Sequence, residues 1–152
     1  MPQTYAARFM YNTVECLTLN TKRLFMHKTR IGFLGEDIAC SFLKDKGMKI
    51  LYRNLRWPWG ELDIVARAND GTLIIVEVKT FWSSDEEAMP ERNYDYNKAR
   101  KTMKTVQLFI QNNQYLINDE RGFRLDLIAV QIVHQELIDW KKDCRIRHYE
   151  NV

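Results

Sequence analysis

Cysteine is scarce in this chain and poorly spaced for chemistry. Cys16, Cys40 and Cys144 are odd in number, far apart and without a CxxC pair, which argues against both a zinc site and a disulfide framework. A reducing compartment fits that usage. Long apolar runs are missing too: the longest aliphatic stretch, Leu73-Ile74-Ile75-Val76, is far shorter than the roughly 20 residues needed to cross a bilayer. No membrane partner is expected. His27, His134 and His148 stand alone in the sequence, so none belongs to a ligand or base motif. There is no internal repeat and no low-complexity tract, and the N-terminal region lacks the roughly 7–15-residue apolar segment of a secretory signal.

What is present fits one globular domain. The chain has 152 residues, 45% hydrophobic and 28% charged, enough for a single core. Residues 1–28 hold one acid, Glu15, and no glycine; they read as an extension, either disordered or carrying a short docking helix around Tyr11–Leu24. Residues 29–152 read as the domain. The charge is uneven: residues 1–60 carry ten Lys/Arg against four acids, whereas the remainder carries thirteen against sixteen. A basic front half followed by an acidic cluster is compatible with a phosphate backbone approaching metal-binding carboxylates, and equally with a solvated mixed-charge surface.

The pattern of elements is α/β. Thr29 could cap a helix over 30–46, with Leu34, Ile38 and Phe42 on its apolar face, Glu36 at the core edge and Gly47 as its stop. Residues 48–56 and 61–67 read as strands around the turn Trp57-Pro58-Trp59-Gly60, with Leu62, Ile64 and Ala66 alternating inward. Asn69-Asp70-Gly71 predicts a hairpin that makes strands 61–67 and 72–81 antiparallel neighbours. A polar, acidic loop over 83–96 leads to a helix over about 98–113, with Ala99, Met103, Val106 and Ile110 in one stripe and Asn97 or Asp95 as cap. A fourth strand is expected over 123–133 and a fifth over 144–149.

The strand over 72–81 is apolar almost throughout, as in strands buried on both faces, yet it carries Glu77 and Lys79. Buried ionised groups must be paired or bind metal. Glu77 and Lys79 share a face, as do Glu61 and Asp63, so adjacent strands would let Asp63 approach Glu77 and Lys79. A solvated cross-strand ion pair is the simpler account of a lone Glu-x-Lys. It weakens here because the flanks are apolar and because Asp63 and Glu36 are positioned to join. Hydrolysis of a phosphodiester needs a positioned water and cations for the developing charge, and Mg²⁺ or Mn²⁺ can be held by carboxylates such as Asp63, Glu77 and Glu36 without His or Cys. Lys79 could contact the water or the phosphate; burial and the neighbouring acids push its protonation in opposite directions.

Gly35-Glu36-Asp37-Ile38-Ala39, Asn54-Leu55-Arg56, Gly60-Glu61-Leu62-Asp63-Ile64-Val65-Ala66 and Val76-Glu77-Val78-Lys79-Thr80 together closely resemble the YraN family of predicted endonucleases, over about residues 30 to 133. The resemblance implies a restriction-endonuclease-like core of the PD-(D/E)xK superfamily: helix, three strands, helix, strand, with a mixed central sheet flanked by helices. It implies a cytoplasmic, Mg²⁺- or Mn²⁺-dependent endonuclease acting on nucleic acid, DNA ahead of RNA. Asp63 matches the motif aspartate, Glu77 and Lys79 the ExK pair, and Glu36 the acidic residue of the first helix. Arg124-Leu125-Asp126 resembles a late Arg-x-Asp segment, to which no chemical role is assigned. Phe81 stands where the family usually has Arg, which removes one phosphate ligand near the site. The competing expectation is a non-catalytic nucleic-acid-binding module on the same scaffold.

Three further features are weaker. Lys98, Arg100, Lys101 and Lys104 crowd the start of the second long helix, where the helix dipole disfavours cations and an external anion would relieve them; a solvated face is the alternative. Trp57 and Trp59 could stack on unpaired bases or merely cover the core edge. Gln111 and Tyr115 have the spacing of a QxxxY motif, a short pattern of low specificity.

Overall fold

The computed structural model describes residues 28–85, 96–134 and 139–152, side chains of 28, 29 and 96–99 excepted. The N-terminal extension up to residue 27, the loop over 86–95 and the expected cap Asp95 lie outside the described residues. The order is α1 (Lys28–Asp45), β1 (Lys49–Trp57), β2 (Gly60–Arg67), β3 (Leu73–Trp82), α2 (Tyr96–Asn112), a 3-10 turn (Gln114–Leu116), β4 (Phe123–Ile132), α3 (Trp140–Asp143) and β5 (Cys144–Tyr149). The strands form one mixed sheet in the order β1-β2-β3-β4-β5, in which β3 and β4 run parallel and the other pairs antiparallel. This is the α/β, restriction-endonuclease-like core expected from the sequence. The parallel pair requires a long crossover, which contains α2.

Each face of the sheet has its own core. On one, Ile38, Ala39, Cys40 and Leu43 of α1 pack against Ile64, Ala66, Ile74, Val76, Val78, Ile128 and Val130. On the other, Val106 and Phe109 of α2 pack against Leu62, Val65, Leu73, Ile75 and Leu125. β3 therefore alternates between two apolar layers, and this is why its sequence reads as a continuous hydrophobic run.

Local signals explain several boundaries. Gly47, with φ 81°, donates to Lys44 O at 2.8 Å while Met48 N donates to Leu43 O at 3.0 Å. This is a Schellman closure of α1, which needs a left-handed residue after the helix. In the β2–β3 turn, Gly71 N donates to Ala68 O at 3.0 Å and only Gly71 takes a positive φ, 93°. Asp70 instead accepts from Thr72 N at 3.0 Å, so the turn is a type I turn with a glycine bulge rather than the two-residue form.

Three expectations are corrected. α1 begins by Lys28 and α2 by Tyr96, so Thr29 and Asn97 lie inside their helices and cannot cap them. Met103, Val106 and Ile110 of the expected α2 stripe pack on the core, but the buried side is wider than that stripe and also takes in Thr102, Thr105 and Phe109. Leu62 joins the α2-side core, whereas Ile64 and Ala66 join the α1 side. The alternation breaks at Asp63, at the level of Asn54, which takes a left-handed backbone with φ 50° within β1. The β1–β2 ladder shifts register between Ile50 and Tyr52 and runs in one register from Arg53↔Ile64 to Leu55↔Leu62.

Candidate active site

The ladder between β2 and β3 runs from Arg67↔Leu73 to Ile64↔Val76 and stops there, although both strands continue. Just beyond, Asp63 Oδ2 accepts the Val78 backbone N–H at 2.7 Å. The carboxylate takes up a donor that the β2 main chain has left, and it does so at the residue between Glu77 and Lys79. Lys79 Nζ donates to Glu77 Oε1 at 2.5 Å. Glu77 is only 7% exposed, so a charged side chain sits in the sheet with an ammonium partner.

Glu36 reaches the same region from α1. Gly35 makes this possible: a Cβ there would overlap the Thr80 side chain, so the helix rests directly on β3 one residue past Lys79. The Asn54 side chain, on a residue with a left-handed backbone, lies beside Glu36 and favours its ionised form. One carboxylate oxygen, Glu36 Oε2, is buried with no hydrogen-bond partner among the described residues. Burial raises the Glu36 carboxyl above its usual range, and Asn54 and Arg53 offset this only in part.

Asp63 is perturbed further. Burial first, then the negative charges of Glu77 and Glu36, push its carboxyl up to about 7, against the lowering effects of the Val78 N–H and Lys79. Glu36, Glu77 and Lys79 thus each lie within electrostatic reach of Asp63. A site of this kind, with two carboxylates raised chiefly by burial and then by neighbouring acids, is where a cation would be favoured. Among the described residues no group of three His, Cys, Asp or Glu side chains is arranged to hold a metal ion by itself. Mg²⁺ does not need one, since it is commonly held by one or two carboxylates and completes its shell with water and phosphate oxygens. The hard carboxylate oxygens of Asp63, Glu77 and Glu36 match such an ion in donor chemistry, and one Glu36 oxygen is unpartnered among the described residues, but the three do not form one closed ligand set.

The other sequence candidates separate from this cluster. Arg100, Lys101 and Lys104 are exposed on α2, and Lys98 lies in its first turn. Tyr115 is 75% exposed and meets Tyr52 and Asn113. Asp126 is fully buried and accepts from Arg124 Nε at 3.0 and 3.2 Å, from Asn151 N at 3.0 Å and from His148 Nε2 at 2.8 Å. Lys46 Nζ lies 3.3 Å from His148 Nδ1. This is a structural clasp for the C-terminal strand.

Two residues at the cluster's margin were given no role from the sequence, although Asn54 belongs to the Asn54-Leu55-Arg56 motif. Asn54 had a signal, since Asn tolerates the left-handed region better than most residues. Arg147 had none, because its place depends on strand pairing. Lys79, Ala129 and Arg147 form one row across β3, β4 and β5, and the Arg147 guanidinium stands 6.0 Å from the Phe81 ring. A cation is thereby returned to the neighbourhood of position 81.

Comparison with known proteins matches residues 35–130 to a model described as uncharacterised protein family UPF0102. Relatives of that description include proteins from Alkaliphilus oremlandii, 36% identical over 80% of this chain and 96% of theirs, and Persephonella marina, 36% identical over 70% and 86%. A third, from Dictyoglomus turgidum, is 32% identical over 76% of this chain and 95% of its own.

Proposed function

Because this chain belongs to the UPF0102 family, the one its YraN-like motifs pointed to, we propose that it is a Mg²⁺- or Mn²⁺-dependent endonuclease. It hydrolyses DNA phosphodiester bonds, with branched, flapped or damaged DNA as its substrates in repair or recombination. The domain over 29–152 carries the activity, the segment 1–28 is an accessory extension, and the setting is the cytoplasm. The observation that supports this most is the Asp63 carboxylate bound to Val78 N–H between Glu77 and Lys79.

Asp63 and Glu77 would hold the ion, and Glu36 would complete or orient its shell. A bound divalent cation supplies Lewis acidity toward a phosphodiester oxygen. Lys79, already held against Glu77, positions the attacking water or the phosphate and balances the carboxylate charge. Glu36 has one oxygen free to take a proton from, or to orient, a water in the cluster. Arg100, Lys101 and Lys104, with Lys98, offer the phosphate backbone a sequence-independent contact.

The test is a panel of linear, circular, flapped and four-way DNA incubated with Mg²⁺ or Mn²⁺. Asp63→Ala, Glu77→Ala and Lys79→Ala should each lower cleavage at least about 100-fold while leaving the fold intact. Unchanged cleavage by purified Glu77→Ala protein would remove the assignment. Salt-sensitive DNA binding that persists in EDTA, without turnover in either metal, would instead identify a non-catalytic binding module.

A further inference from the structure

The β1–β2 hairpin carries a feature that the proposed chemistry leaves unused. Its inner indole, Trp57, lies 5.9 Å from the Phe109 ring of α2, and Gly60 approaches the same helix so closely that a Cβ would collide with the Thr105 hydroxyl. The hairpin is therefore seated on a packed helix. Trp59 lies nearly parallel to Trp57, with centroids 6.2 Å apart and 10° between planes, yet is 52% exposed. One face of Trp59 is turned to the inner indole, and about half of its surface remains in solvent, open to a further flat ring. Beside it is an open cleft of about 390 Å³ lined by Arg56, Trp57, Pro58, Trp59, Gly60 and Glu61. Arg56 is 66% exposed and only loosely paired with Glu61, at 3.6 Å.

We propose that the Trp57–Trp59 hairpin stacks an unpaired base of a DNA strand, with Arg56 beside it for the adjoining phosphate. Every base has a π-face, so an aromatic platform binds without reading sequence. Bases inside a duplex are already stacked on both sides, so such a platform selects strands whose bases are unpaired. The position suits the substrate: Trp59 precedes Asp63 by four residues, about 13 Å along an extended chain, a distance that a few nucleotides bridge. The inference deepens the nuclease reading, naming the substrate feature recognised beside the carboxylates, and rests on that reading for why a DNA strand passes here.

The test is equilibrium binding in EDTA, by fluorescence anisotropy, of labelled oligothymidylate of about 20 nucleotides and of a duplex of equal length. Wild type, Trp59→Ala and Trp59→Phe are compared, with melting curves verifying the fold of each. Trp59→Ala should weaken oligothymidylate binding about 5- to 150-fold and leave duplex binding within about twofold, while Trp59→Phe keeps most of the affinity. The proposal is overturned if wild type does not bind the single strand, if Trp59→Ala changes neither probe or both equally, or if Phe is as poor as Ala. No turnover enters these readings. Absent cleavage in Mg²⁺ or Mn²⁺ would sink the nuclease reading and leave the stacking result standing; normal cleavage with unaltered Trp59→Ala binding would sink the stacking alone.

Discussion

At Asp63 a backbone demand and an electrostatic one conflict. The carboxylate must stay where Val78 N–H needs an acceptor, and there burial and two neighbouring acids push it from the usual 3.8 up to about 7. Between those values the folded chain holds a proton that the unfolded chain has released, so this group makes stability fall as pH rises through that window. Asp63→Asn keeps an acceptor for Val78 N–H and has no charge to desolvate. In metal-free buffer the variant should melt above wild type at about pH 8, and the difference should vanish near pH 4. Mg²⁺ should raise the wild-type melting temperature at the higher pH and leave the variant unmoved, because a cation at the site favours the ionised carboxylate. A variant that melts below wild type in alkaline metal-free buffer would show that Asp63 is not under this strain.

At the scale of the element, α1 is fixed by a glycine contact rather than by its apolar stripe alone. Replacing a helix-interior Gly by Ala normally stabilises by about 1 kcal/mol, whereas forcing atoms into a packed contact costs about 1–3 kcal/mol. At Gly35 the added methyl meets three atoms of Thr80, including its Cβ, so overlap should win. Gly35→Ala is predicted to lose about 1–2 kcal/mol in denaturant unfolding, and to lower cleavage by displacing Glu36 on the same turn. Gly32, in the same helix, has nothing within 4 Å of the place a methyl would take; Gly32→Ala should be neutral or stabilising. Equal effects at the two positions would refute the contact argument. The order of elements and the β2–β3 pairing were legible because periodicity and the Asp70-Gly71 turn are local signals. The end of the β2–β3 ladder short of Asp63 was not, since it depends on how two strands pair and not on a signal within either one. The capping roles expected of Thr29 and Asn97 failed for the converse reason: local cap preference gave way to helices extended beyond those residues.

Across the whole molecule, two aspartates, on β2 and β4, pull stability in opposite directions with pH. Asp126 would be raised by its burial, but the bonds from His148 and Asn151 N–H and the charge of Arg124 outweigh this and hold it below the usual carboxylate range. A depressed native value contributes stability above the unfolded value of 3.8 that is lost as pH falls through the native one. The site aspartate gives the opposite slope, so the metal-free protein should be most stable in mildly acidic solution and weaken toward both limits. Asp126→Ala would leave Arg124 and the buried His148 without their shared acceptor and release the Asn151 tie between β4 and the C-terminal tail. A loss of about 3–5 kcal/mol is expected, together with a flatter acid limb, in denaturant titrations repeated across pH. Asp63→Asn should flatten only the alkaline limb. If both variants altered the same limb, the clasp on β4 and the carboxylate cluster on β2 and β3 would not be electrostatically separate, and the assignment of Asp126 to structure rather than to the site would fall.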